Sequence, residues 1–181
     1  NCAWDKVAEW DEKKAENFLE SAPQLRRAVK SLILDMDAHR PWMMKDPRFC
    51  LTFPCWLPLL EVPVAVVVYR DPRETAKSLE TRNGFPPPFG LALWEFYAVH
   101  LLNASRAIPR IWVRHAELLG DPVRAVARLH TSLKALDVQG LRLPSLREIT
   151  AFIDPALYRS KTVEGVTLTQ AQQTLAEIFL T

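Results

Sequence analysis

The stretch Pro63-Val64-Ala65-Val66-Val67-Val68-Tyr69-Arg70-Asp71-Pro72-Arg73-Glu74 decides the fold. Its first seven residues are apolar and rich in β-branched side chains on both alternating faces. That is the pattern of a central strand in a parallel sheet covered by helices on both sides. The chain then changes state at once. Asp71 suits a helix N-cap and Pro72 the first helical position, and Glu74, three residues after the cap, completes a start like a capping box. The helix so begun is expected to run from about Pro72 to Arg82 and to end before Asn83-Gly84.

Downstream, Phe85-Pro86-Pro87-Pro88-Phe89-Gly90 reads as a stiff proline loop, followed by a helix carrying Leu91, Trp94, Tyr97, Ala98, Leu101 and Leu102. Ile111-Trp112-Val113 is a second short strand. Gly120-Asp121-Pro122 repeats the cap-then-proline start, with Ala125, Val126, Leu129, Leu133 and Leu136 as the buried stripe of the next helix, and Gly140 closes that helix or its turn. From Pro144 the tail looks helical but weakly patterned. Upstream, Trp4, Val7, Ala8, Ala15, Phe18 and Leu19 recur at helical spacing. A second helix after Pro23 places Leu25, Ala28, Val29, Leu32, Ile33 and Met36 on one face. Trp42-Met43-Met44 is expected to be a short buried strand, and Phe49 to Leu60 a compact helical segment. Strands alternating with helices predict an α/β fold with a parallel sheet, in one domain spanning residues 1–181.

Composition bounds the function. Hydrophobic residues make up 49% and charged residues 24% of 181 positions, an ordinary globular balance. A net charge of +2 argues against a chain held to nucleic acid or membrane by bulk charge, yet leaves room for a local basic pocket. No run approaches the roughly 18 to 20 apolar residues of a membrane span. Three cysteines, Cys2, Cys50 and Cys55, form neither a disulfide framework nor a zinc pattern and fit a reducing, cytoplasmic setting.

Ligands of open α/β sheets bind beyond the carboxyl ends of the strands, where helix N-termini point. Two predicted strand ends carry cations: Lys45-Asp46-Pro47-Arg48 and Arg70-Asp71-Pro72-Arg73. If the strands are neighbours, Lys45 and Arg70 enter one crevice beside the helix that starts at Pro72, which makes an anion site. Taken singly, Arg70 reads equally as a surface arginine paired with a carboxylate, and Lys45 as a solvated lysine.

These residues resemble a known family. Arg70-Asp71-Pro72-Arg73-Glu74-Thr75-Ala76-Lys77-Ser78-Leu79 is similar to the 3′-phosphate motif of sulfotransferases that use 3′-phosphoadenosine 5′-phosphosulfate (PAPS). In that motif an arginine ends the strand and a serine lies eight residues later, and the resemblance assigns these roles to Arg70 and Ser78. Lys45-Asp46-Pro47-Arg48 resembles the Lys-Asp/Thr-Pro segment of Golgi-type and bacterial members, whose lysine stabilises the bridging oxygen and the moving sulfuryl group; this falls on Lys45. Further likeness runs through Phe53-Pro54-Cys55-Trp56-Leu57-Pro58, Arg82-Asn83-Gly84-Phe85, Leu93-Trp94-Glu95-Phe96-Tyr97, Glu117-Leu118-Leu119-Gly120-Asp121-Pro122 and Phe152-Ile153-Asp154-Pro155-Ala156-Leu157. It covers most of residues 41–160 and is nearest to bacterial sulfotransferase-family proteins.

The resemblance implies a P-loop-like fold and sulfuryl transfer from PAPS to a hydroxyl acceptor, a glycan or a small molecule, with no metal and no nucleic-acid partner. The chemistry asks for these residue types, because loose sulfuryl transfer is catalysed mainly by positioning and electrostatics. Two departures matter. The five glycines, Gly84, Gly90, Gly120, Gly140 and Gly165, include none in a loop that would cradle the 5′-phosphosulfate, so the domain is expected to be N-terminally incomplete. The general base is also unassigned. Asp46 is better suited to capping, and His39, His100, His115 and His130 read as surface or core. The base is expected in the missing segment or at Glu12 or Glu16 on the first helix, and Arg159 and Lys161 could add basic cover. The alternative is a binding or scaffold module that keeps this fold without the chemistry. A P-loop nucleotide kinase would need Gly-Lys-Ser/Thr and a magnesium carboxylate, and neither is visible.

Overall fold

Two strands, β1 (Ala65–Tyr69) and β2 (Arg110–Arg114), pair in parallel, with Ala65 opposite Arg110 and Tyr69 opposite Arg114. The coordinates are a computed structural model that describes residues 4–7, 10–154 and 163–180. Parallel neighbours need a crossover, and here it is a helical hairpin of α5 (Pro72–Asn83) and α6 (Pro87–Ala104). The Asp71 carboxylate accepts from the Arg73 N–H and starts α5. Gly84, at φ +70°, closes it by donating its N–H to the Glu80 carbonyl. A left-handed residue in that place is the usual work of glycine. The two helices meet where Gly90 lies on Ala76: a Cβ on Gly90 would stand 3.0 Å from the Ala76 Cα, and Ala76 is wholly buried.

One face of the sheet carries the core. Ala65, Val67, Tyr69 and Trp112 pack on Trp94, Ala98, Leu101 and Leu102 of α6, and on Leu175 and Phe179 at the end of the chain. Phe179 stacks on Tyr69 at 5.2 Å and meets Trp112 edge-on at 5.4 Å. It follows α10 (Gln170–Ile178), which starts with a capping box of Thr169 and Gln172.

The period of two puts Val66, Val68, Ile111 and Val113 on the opposite face. There α8 (Pro122–Ala135) lies over β2, so Ile111 and Val113 are buried. Val66 and Val68 are 38% and 58% exposed. The expectation of a strand covered on both faces therefore holds on one face only. The cause is the length of the sheet: among the described residues β1 has β2 as its one ladder partner, and α8 sits over β2. The Ala65 N–H donates to the Pro109 carbonyl, so the peptide groups of Val66 and Val68 turn to the open edge.

Upstream, the first predicted helix is interrupted. It forms as α1 (Glu12–Glu16) and α2 (Phe18–Ser21), parted at Asn17, whose side-chain amide donates to the Lys13 carbonyl. The next helix is α3 (Pro23–Asp37); its predicted stripe is covered at Ile33, while Leu25 and Leu32 are exposed. Trp42-Met43-Met44 is not a strand. It is irregular, Met43 is 83% exposed, and the Trp42 indole donates to Asp37 at 2.8 Å, which ties the segment to the end of α3 and not to a ladder. The compact segment forms as α4 (Phe49–Trp56) and a 3-10 turn at Leu57–Leu59. After β2 come α7 (His115–Gly120), α8 and α9 (Leu146–Phe152). Asp121 caps α8 as expected, and a capping box of Ser145 and Glu148 starts α9.

Thus the chain is mixed α/β, mostly helical, with a small parallel sheet. Among the described residues no helix is long and apolar enough to cross a membrane. Cys50 and Cys55 are thiols. Burial pushes the Cys50 thiol up to about 12, which makes it a poor nucleophile, and the Cys55 thiol donates to the Ala15 carbonyl. Cys2, Pro155, Ala156, Leu157, Arg159 and Lys161, and the side chains of Glu12 and Glu16, lie outside the described residues.

Candidate functional site

The two tetrads singled out in the sequence fold into the same local clamp. In each, the aspartate accepts the N–H of the arginine two residues on at 2.8 Å, and binds its guanidinium at 2.7 Å from the other oxygen. Proline between them fixes the turn. The Arg48 guanidinium, then its N–H, pull Asp46 down to about 2. Burial pushes Asp71 up, but the guanidinium and N–H of Arg73 outweigh it and leave the carboxyl below its ordinary value. Both aspartates are therefore ionised clamps, and a general-base role does not suit Asp46. Arg48 and Arg73 are engaged by them, which leaves the leading cations, Lys45 and Arg70, to be placed.

Arg70 follows β1 directly. Its Nε donates to the Glu74 carboxylate at 3.2 Å, and the two side chains are 26% and 17% exposed. Glu74 lies on the first turn of α5 and Ser78 one turn further, so Arg70, Glu74 and Ser78 follow one line along the helix. Ser78 is half-buried. The sequence allowed Arg70 either a ligand or a carboxylate partner; in this structure it has the carboxylate. Lys45 is exposed, and no hydrogen bond or ion pair joins it to Arg70, Ser78 or the start of α5. The premise that Lys45 and Arg70 end neighbouring strands falls with the missing strand at residues 42–44.

The residue that sequence reasoning passed over is His115. The register sets Tyr69 against Arg114, so the next residue of each strand, Arg70 and His115, stand side by side at the carboxyl end of the sheet. Burial, then the charge of Arg70, push the imidazole below its ordinary value, while Glu74 pulls it the other way. The available signal was positional: His115 follows the second strand as Arg70 follows the first.

The other histidines read as expected. His39 is exposed, His100 meets the Phe96 carbonyl at 2.8 Å through Nδ1, and His130 sits half-buried on α8. Trp94 belongs to the core beside Phe179, and the Tyr97 hydroxyl donates to the Trp4 carbonyl. A cavity of about 400 Å3 opens at the start of α5, lined by Tyr69, Asp71, Arg73, Leu168, Gln173 and Glu177.

No family model, curated protein or solved structure matches the chain.

Proposed function

We propose that the chain forms part of a PAPS-dependent sulfotransferase domain and contributes the half of the site that holds the nucleotide 3′-phosphate. The observation that carries this reading is the line Arg70–Glu74–Ser78, which starts at the end of a parallel strand and runs along the first turns of the helix after it. A guanidinium fork, a hydroxyl one helical turn from its counter-ion and the N-terminal dipole of α5 together suit a phosphate dianion. In this reading Arg70 and Ser78 bind the 3′-phosphate. Lys45 supplies the cation that neutralises charge on the leaving phosphate as the sulfuryl group passes to an acceptor hydroxyl, of a glycan or a small molecule.

The exposure of Lys45, with no bond to Arg70, favours a second reading, a binding module that holds the nucleotide without the transfer. Calorimetric titration of the chain with adenosine 3′,5′-bisphosphate, beside Arg70→Ala, tests both. Saturable binding that Arg70→Ala weakens at least tenfold supports the phosphate site. A transfer assay with PAPS and a panel of hydroxyl acceptors then separates enzyme from module, because only an enzyme loses turnover in Lys45→Ala. Absence of nucleotide binding sinks both readings.

A further inference from the structure

Arg70, Glu74 and His115 form a compact charge cluster at the carboxyl ends of the two strands, and its balance has a consequence for any anion that enters. Arg70 and Glu74 form an ion pair of no net charge, and burial and the Arg70 charge favour the neutral form of the imidazole beside them. Among the described residues, the other charges on the elements around it have partners of their own. On α5 Asp71 holds Arg73; on α7 Glu117 faces Arg114 at 3.8 Å and also pairs with Arg128 of α8.

We propose that His115 is a third arm of the Arg70 anion site, and that Glu74 is the counter-ion a phosphate- or sulfate-type anion must displace, so that binding takes up a proton on the imidazole. This deepens the sulfotransferase reading and rests on it only for the identity of the anion.

The argument is electrostatic. An anion that takes over the Arg70 guanidinium leaves Glu74 without its partner and adds its own charge. A dianion beside Arg70 and Glu74 brings the cluster from neutral to a net of two negative charges. The one group there that can respond in the physiological range is the imidazole. Protonating it removes one of those charges and supplies an N–H donor to the anion. Arg70, which disfavoured the imidazolium, is by then neutralised by the ligand. The sign follows. The bound imidazole holds its proton more tightly than the free one, so affinity rises as pH falls through the bound-state midpoint. It levels off below the free-state midpoint, and between the two it changes by up to about tenfold per pH unit. Glu74 acts in the opposite sense at every pH, because its grip on Arg70 competes with the ligand.

Two probes separate this from the reading above: adenosine 3′,5′-bisphosphate, whose phosphates themselves take up a proton at about pH 6, and inorganic sulfate, which stays a dianion throughout the range from pH 5.5 to 8 and gives the decisive curve. Imidazole resonances of the chain are followed through that range with and without each probe, and His115 is assigned by its loss in His115→Gln. The expected result is an upward move of the His115 midpoint on saturation, with His39, His100 and His130 unmoved. Glu74→Gln is expected to bind both probes about five- to tenfold tighter than wild type, with a circular-dichroism spectrum that shows the fold retained. A His115 midpoint that stays or falls on saturation overturns the proposal, and that measurement needs only the wild-type chain. Weaker binding by a folded Glu74→Gln overturns it as well. Sulfate binding with the His115 signature but no nucleotide binding upholds the cluster and removes the PAPS reading. Nucleotide binding with a silent His115 does the reverse, and no binding of either probe overturns both.

Discussion

Replacing Gly90 by alanine sets two known effects against each other at the contact that holds α5 to α6. Alanine in a helix is favoured over glycine by about 1 kcal/mol, and by less in a first turn such as this one. Against it, the new methyl would stand 3.0 Å from the Ala76 Cα and 3.2 Å from its Cβ. The first of these is main chain in the middle of α5 and cannot swing aside, and Ala76 has no exposed surface through which to yield. The helices must separate by several tenths of an ångström, and overpacking of this kind costs about 1–3 kcal/mol. The steric term wins, and the net loss is about 1–2 kcal/mol. For a chain of this size that lowers the melting temperature by about 2–8 °C. Differential scanning calorimetry reads it directly. A Gly90→Ala protein that melts at or above the wild-type temperature would refute the reasoning, since propensity alone would then be acting.

Phe179→Ala removes the ring that Tyr69, Trp94 and Trp112 all touch, and should destabilise the fold by about 3–5 kcal/mol in a denaturant titration; a loss under about 1 kcal/mol would mean that the end of the chain is not part of the core. Asp46, held down to about 2 by Arg48, should show a carboxyl NMR midpoint near that value. Because the folded value is depressed, whatever the clamp contributes is complete above about pH 5 and fades as pH falls from about 4 toward 2. A midpoint in the ordinary aspartate range would show that the clamp is not formed in solution.

Much of the frame was legible because local chemistry and tertiary need agree there. At residues 63–83 a β-branched run, an aspartate cap, a proline at the first helical position and a closing glycine all specify the same turn from strand to helix, and β1 and α5 appear within two residues of expectation. The misreadings come from non-local causes. Trp42-Met43-Met44 has strand composition, but a strand exists only where a ladder partner is available, and the Trp42 indole takes Asp37 instead. The cover on β1 was misjudged for the same reason, since alternation reports what a face is made of and not what lies over it. Leu175 and Phe179 belong to the core although the tail carries little pattern, because their partners lie about 70 to 110 residues away. At the site, Arg70 and Ser78 could be found as a spacing on one helix. His115 offered only its place after the second strand, and its relation to Arg70 becomes visible only through the register of two strands 45 residues apart.

Among the described residues the outer edge of β1 has no ladder partner, and this bears on how the chain behaves at high concentration. Val66 and Val68 present apolar side chains on one side and unladdered peptide groups on the other, and such an edge is adhesive toward any extended segment it meets. Its protection comes from its brevity, five residues, and from Pro63 just before it, which has no N–H to offer a further ladder. A substitution that lengthens the strand or replaces Pro63 by a β-branched residue would therefore favour self-assembly before it cost stability.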